Sequence, residues 1–194
     1  MNTETSPKLL SYCIKNNHWS IFEQVELGVE IKTSRAIAQQ ILRHRSFSFQ
    51  EFSQRYSQAT DFEPVQLRKQ AEKNRQSSTD IFDPPITRVE FGGRHDGEEF
   101  AFPASQRITD FVQEANFLYQ ELIEAGVAKE CARMVLPLTT QTTIYMKGSI
   151  RSWIHYFQIR CDEHTQLEHR EIALRIRDDI FKPNFPNISK ALQL

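Results

Sequence analysis

Arg43-His44-Arg45 and the run from Ser46 to Tyr56 bring side chains able to do chemistry closer together than any other stretch of this 194-residue chain. Two guanidiniums flank an imidazole. Beyond Ser46 the hydrophobic period becomes two, which on a strand puts Phe47, Phe49, Glu51, Ser53 and Arg55 on one face. A carboxylate, a hydroxyl and a guanidinium in a row suit a phosphorylated ligand, because a guanidinium offers parallel N–H donors where an ammonium offers a point charge. The plainer reading is structural. Ser34 to Leu42 carries Ile37, Ala38, Ile41 and Leu42 behind a serine able to cap, so Arg43 falls at a helix C-terminus. A cation there is worth roughly 0.3–1 kcal/mol against the macrodipole.

Other polar residues share faces by helical phase. Gln40 lies three residues before Arg43 and projects from the same side. Ser20 and Glu23 have the spacing of a capping box, which explains both by structure alone, and His18 precedes them in a turn. Arg133 sits among apolar neighbours in Ala132-Arg133-Met134-Val135-Leu136-Pro137 and needs an anionic partner, an internal carboxylate or a ligand. Ile150, Trp153, Ile154, Phe157 and Cys161 define the apolar face of a helix, with Arg151, His155 and Gln158 on its flank. That helix has a core side and a ligand side. Ser53 has only Glu51 as a neighbouring base, so it reads as a ligand and not a nucleophile. Cys161 turns to the apolar face. His155, His164 and His169 lack the i, i+4 pair and glutamate of a zinc helix, and no metal site is expected.

Six guanidiniums, those of Arg43, Arg45, Arg55, Arg133, Arg151 and Arg160, gathered in one pocket would face several negative charges. A nucleoside monophosphate brings about two near neutral pH, and a dinucleotide pyrophosphate adds more. There is no G-x-G-x-x-G or Walker loop, so arginines and backbone amides would hold the phosphates.

The elements that must position these residues read as α+β, an antiparallel sheet packed with helices. The length suits a single domain over residues 1–194, burying roughly 70% of the unfolded surface. A net charge of −1 supplies no global field toward nucleic acid or an anionic membrane. No apolar run is long enough to span a bilayer, the polar start lacks a secretory h-region, and three scattered cysteines read as reduced thiols of a cytoplasmic protein. Residues 1–7 read as a disordered tail and Leu9 to Lys15 as a first strand. Val25 to Thr33 alternates as a half-buried strand, Pro64 to Gln76 is helix-compatible, and 77–103 reads as a long mobile loop containing an exposed His95. From Ser105, apolar residues at Ile108, Phe111, Val112, Ala115, Leu118, Tyr119, Leu122 and Ile123 mark a scaffold helix ended by Gly126, followed by a short helix over Ala128 to Val135 and a strand over Thr142 to Ser149. Gln166 to Phe181 carries two apolar stripes, fitting either a central core helix or one set between the core and a second subunit. The tail from Lys182 reads as irregular.

Arg43-His44-Arg45, Glu51, Ser53 and Arg55 together resemble the signature of the flavin-dependent thymidylate synthases. The resemblance extends with gaps from His18 to Gln166. It takes in His18, Ser20 and Glu23, Gln40 before the arginines, Asn74-Arg75-Gln76, Ala132-Arg133 with Leu136-Pro137, and Ser149 to Gln166. Ser149 and Thr165 stand where Asn and Ala are common. The resemblance implies the thymidylate synthase-complementing fold and a homotetramer whose sites are shared between chains. It also implies a methyltransferase that carries a methylene group from methylenetetrahydrofolate to C5 of dUMP, with NADPH-reduced FAD as hydride source, giving dTMP. By the same resemblance dUMP is held by Gln40, Arg43, Glu51, Ser53, Gln54, Arg55, Arg133 and Arg160, with Arg160 the catalytic residue. FAD is held by His18, Ser20, Glu23, Arg43, His44, Arg45, Glu51, Ser149, Arg151 and His155. The competing reading is a non-catalytic nucleotide- or RNA-binding oligomer, with Phe47 and Phe49 stacking bases beside the arginines. Neutral charge and dispersed arginines weigh against it.

Overall fold

The alternation that begins near Val25 becomes strand β1, Glu26–Ser34, in which Val29 and Ile31 are buried between exposed Gly28, Glu30 and Lys32. Period-two patterning buries one face and leaves the other wet. The computed structural model describes residues 5–53, 61–73, 77–89, 97 and 99–194. The chain divides into two units, one of Met1–Lys32, Ile37–Glu51 and Thr143–Leu194, the other of Thr33–Ala36 and Phe52–Thr142.

The first unit is built on a sheet of order β1-β7-β2. Strand β7, Gln141–Ser149, is central, and β2, Ser48–Glu51, runs antiparallel to it with Phe49 opposite Met146 and Glu51 opposite Ile144. Ile144, Met146, Ile150, Trp153 and Tyr156 are all fully buried, so the strand β7 and helix α5, Ile150–Arg160, carry the centre of the core. Helix α2, Arg35–Ile41, adds Ile37, Ala38 and Ile41 and ends one residue short of the expected Leu42.

Three expectations here are corrected. Ser6–Lys15 is helix α1, so Leu9 to Lys15 is not a strand and Ser6 and Pro7 are not tail, while residues 1–4 of the expected tail lie outside the described residues. Pro7 is tolerated in a first helical turn, and Leu10, Cys13 and Ile14, at helical spacing, meet the core while Leu9 and Tyr12 stay exposed. Trp19–Glu23 is a short 3-10 turn with no side-chain cap, so the Ser20–Glu23 capping box does not form. The tail is ordered as α7, Lys182–Asn184, and α8, Pro186–Leu192, where Ser11 Oγ donates to the Ala191 carbonyl at 3.2 Å.

Helix α6, Leu167–Arg175, continues into a π-helical turn over Ile176–Phe181. Widening to i→i+5 sets Ile176 and Phe181 about one turn apart, and both are buried with Ala173. The π-turn thus brings Phe181 of the first stripe onto the buried face of the second, while Leu167 and Leu174 stay only partly buried outside that core.

In the second unit, α3, Ala104–Glu124, is the expected scaffold helix, closed beyond Ala125 by Gly126 at φ 85°. Asp83 accepts from the backbone N of Ser105 at 2.8 Å and from its hydroxyl at 2.5 Å, placing a carboxylate at the helix start. The expected stripe is only partly buried: Ala115 and Tyr119 are covered, whereas Phe111 and Leu118 are exposed. α4, Lys129–Ala132, and a 3-10 turn, Arg133–Val135, follow. Pro64 to Gln76 is not helical where described, and 77–103 is not a bare loop. Strand β3, Arg68–Gln70, pairs with β4, Ser78–Ile81, and β5, Pro85–Val89, with β6, Glu99–Pro103, both antiparallel. Asn74-Arg75-Gln76 and His95 lie outside the described residues. No described helix is long and apolar enough to cross a membrane.

Candidate active site

Helix α5 begins at Ser149, whose Oγ accepts the backbone N–H of Ser152 at 3.3 Å and so caps an otherwise unpaired amide. Ser152 Oγ in turn donates to the Ser46 carbonyl at 3.2 Å, tying the helix start to the turn that follows Arg43-His44-Arg45. The hydroxyl at 149 therefore does the helix-capping work that an asparagine side chain could also do, at the edge of a cleft of about 710 Å³. Ser46 and Ser48 line that cleft from the turn and β2, Lys147 and Gly148 from β7, and Arg151, His155 and Gln158 from the polar flank of α5.

Glu23 faces this flank. Arg151 Nη1 donates to its Oε1 at 2.9 Å, and hydrogen bonding from Ser149 first, then Arg151, holds the Glu23 carboxyl below its ordinary range. Among the expected cofactor residues, Glu23, Ser149, Arg151 and His155 meet at the cleft. His18 and Ser20 are exposed on the preceding turn, Arg43 and Arg45 are exposed on either side of His44, and Glu51 ends β2; none of these lines the cleft. Lys147, Ser46 and Ser48 were not singled out. Lys147 was visible only as an outward position of an alternating strand, and the two serines as the unremarked polar residues of the arginine motif.

Arg160, the last residue of α5, donates from Nε to His44 Nε2 at 2.8 Å. Arginine Nε–H is donor-only, so His44 must offer an unprotonated nitrogen. Burial first, then the charges of Arg160 and His155, pull the His44 imidazole down to about 4. Gln40, on α2, donates to Gln166 Oε1 at 2.6 Å. Burial pushes the Cys161 thiol up, which disfavours the thiolate a nucleophile requires.

Ser53 and Arg133 belong to the second unit, and Gln54 and Arg55 lie outside the described residues. Arg133 is half-buried, with Nε donating to the Glu130 carbonyl at 3.3 Å. No cluster of metal-ligating side chains occurs among the described residues.

The cleft suits a dinucleotide such as FAD on its own chemistry. Its volume lies in the range of cofactor pockets. Arg151 and Lys147 pair here with Glu23 and Glu26 across the same cleft, so a phosphate would have to share or displace those carboxylates; the α5 N-terminus can also meet phosphate, and serine hydroxyls and His155 can meet ribose and ring edges.

The profile of the thymidylate synthase complementing protein family matches residues 1–187. A flavin-dependent thymidylate synthase of Synechocystis is 53% identical over 96% of this chain and 80% of its own length. A probable flavin-dependent thymidylate synthase of Paramecium bursaria Chlorella virus 1 is 45% identical over 99% and 82%. One from Thermus thermophilus is 34% identical over 92% and 60%.

Proposed function

The chain belongs to the thymidylate synthase complementing protein family, and from that membership we propose that it is a flavin-dependent thymidylate synthase, a methyltransferase making dTMP from dUMP. The observation that carries this reading is the 53% identity to the Synechocystis enzyme over 96% of the chain. One family match spanning residues 1–187 supports treating 1–194 as a single catalytic domain.

In this scheme FAD, reduced by NADPH, supplies the hydride that completes the methyl group, whose carbon comes from methylenetetrahydrofolate. Glu23, Ser149, Arg151 and His155 hold FAD at the cleft, with His18, Ser20, Arg43, His44, Arg45 and Glu51 adding contacts from neighbouring turns. Gln40, Arg43, Glu51, Ser53, Gln54, Arg55 and Arg133 hold dUMP. Arg160 stabilises the negative charge that develops on the pyrimidine as N3 loses its proton. A fixed, half-buried guanidinium does this well because it needs no reorganisation at the moment of reaction. With Nε committed to His44, the two Nη groups present a bidentate edge to that charge. Carbon transfer then needs no enzyme thiol, in keeping with a Cys161 thiol raised by burial.

The substrates are small molecules. We place the reaction in the cytoplasm, where reduced folate and NADPH are at hand, and the assembly as a homotetramer. Light scattering should return the mass of four chains, and a monomer would contradict that. The first test is colour: purified protein carries or takes up FAD and is yellow. A colourless protein that cannot be reconstituted would contradict the reading and favour a non-catalytic nucleotide binder.

A further inference from the structure

A histidine with no solvent exposure stands in the first turn of α6: His169 is 0% exposed, with its ring against that of Tyr156. A leucine would fill such a position without the cost of taking an imidazole out of water, so the side chain is there for its polarity or its shape. Its Nε2 lies 3.1 Å from the Tyr156 hydroxyl, and its Nδ1 has no partner among the described residues. Tyr156 precedes Arg160 by one helical turn on α5, and its ring stands edge-on to His44 at 5.0 Å. His169 meets the same His44 ring edge-on at 6.2 Å, and Phe47 closes a third side at 6.4 Å.

His44 itself lies in the turn between α2 and β2, with its backbone held by His44 N to Ile41 O and Phe47 N to His44 O. A ring on such a turn has its orientation set by what packs around it. Its Nε2 must accept from Arg160, so a rotated or protonated ring would release the guanidinium.

We propose that Tyr156 and His169 form a buried brace that fixes the His44 imidazole as the hydrogen-bond acceptor of Arg160, making His169 and His44 positioning residues for the methylation. The inference rests on the assignment of Arg160 to the developing charge on the pyrimidine. It adds three residues that act on the reaction through Arg160. The role of the Arg43-His44-Arg45 run toward FAD stands beside it. Burial, then the charge of Arg160, hold His169 uncharged, which keeps a second cation out of the brace.

The test uses FAD-loaded protein and steady-state kinetics with dUMP. His169→Leu should keep its flavin and its KM for dUMP within about twofold while kcat falls about tenfold, because a small displacement of a transition-state group is felt in turnover. Tyr156→Phe, which removes only a hydroxyl, should lose rate in the same direction and serves if the leucine variant does not fold. His44→Gln offers a carboxamide oxygen to Arg160 Nε and should recover most of the rate that His44→Leu loses. Wild-type turnover in both brace variants, or a His44→Gln no better than His44→Leu with flavin bound, would overturn the proposal and leave the parent reading intact. An FAD-loaded wild type that makes no dTMP would remove both.

Discussion

Arg160 and Arg45 separate the two tasks of the site. Arg160 is held by His44 at the end of α5 and is assigned to charge that appears during the reaction, so Arg160→Ala should keep FAD and lose about 10²–10³-fold in kcat. Loss of flavin in that variant would show the assignment misplaced. Arg45 is exposed beside His44 and is assigned to FAD. Deleting a charged hydrogen bond worth about 1.5–3 kcal/mol should weaken FAD binding roughly 10–100-fold, read by flavin titration. An Arg45→Ala protein as yellow as wild type would contradict that. The arginine motif was legible because its spacing is fixed within a short run. The pairing of Glu23 with Arg151 was not, since the two are 128 residues apart and only the fold brings them together. His169 was weighed only as a metal ligand, because nothing in its neighbours announces that the ring is buried.

The close approach of β7 to the turn before β2 gives a prediction about elements. A Cβ at Gly148 would stand 2.5 Å from Phe47 Cδ1, and Phe47 packs against Trp153 at 4.8 Å and Tyr156 at 5.9 Å, so the ring has little room to give. Gly148→Ala should destabilise the protein by about 1–3 kcal/mol, seen as a lower denaturant midpoint at unchanged slope. An unchanged midpoint would mean that β7 or the turn moves freely. Strands β1 and β7 and helices α3 and α5 could be read from the sequence, since each keeps one period over nine residues or more. α1 reads equally as a strand because its apolar residues are bunched at Leu9, Leu10, Tyr12, Cys13 and Ile14, a run too short to separate the two periods until Pro7 is placed in a first helical turn. Strands β3 to β6 are three to five residues long and mostly exposed, too short and too polar to show a period.

At the scale of the whole molecule, buried histidines make stability depend on acid. Between the ordinary value of 6.5 and about 4, the unfolded chain's imidazole is protonated while folded His169 is not. The unfolded state then binds more protons, and stability falls as pH drops through that window, by on the order of 2–3 kcal/mol for a fully buried ring. His44 adds to the same slope, discounted for its partial exposure. Denaturant midpoints between pH 7 and 4 should show the decline, and His169→Leu should flatten it; an equal slope in the variant would place the acid sensitivity elsewhere. The α+β class followed from a chain that alternates clear strands with amphipathic helices. The division into two units did not, because its boundaries fall inside β1, α2 and β7 and at the end of β2, where the sequence shows no linker. The account as a whole stands on methyl transfer to dUMP by a flavin route, and tritium release from dUMP labelled at C5 measures it most directly. With methylenetetrahydrofolate and NADPH present, release should appear when FAD is bound and vanish in the apoprotein; release that persists without FAD, or none from the complete mixture, would contradict it.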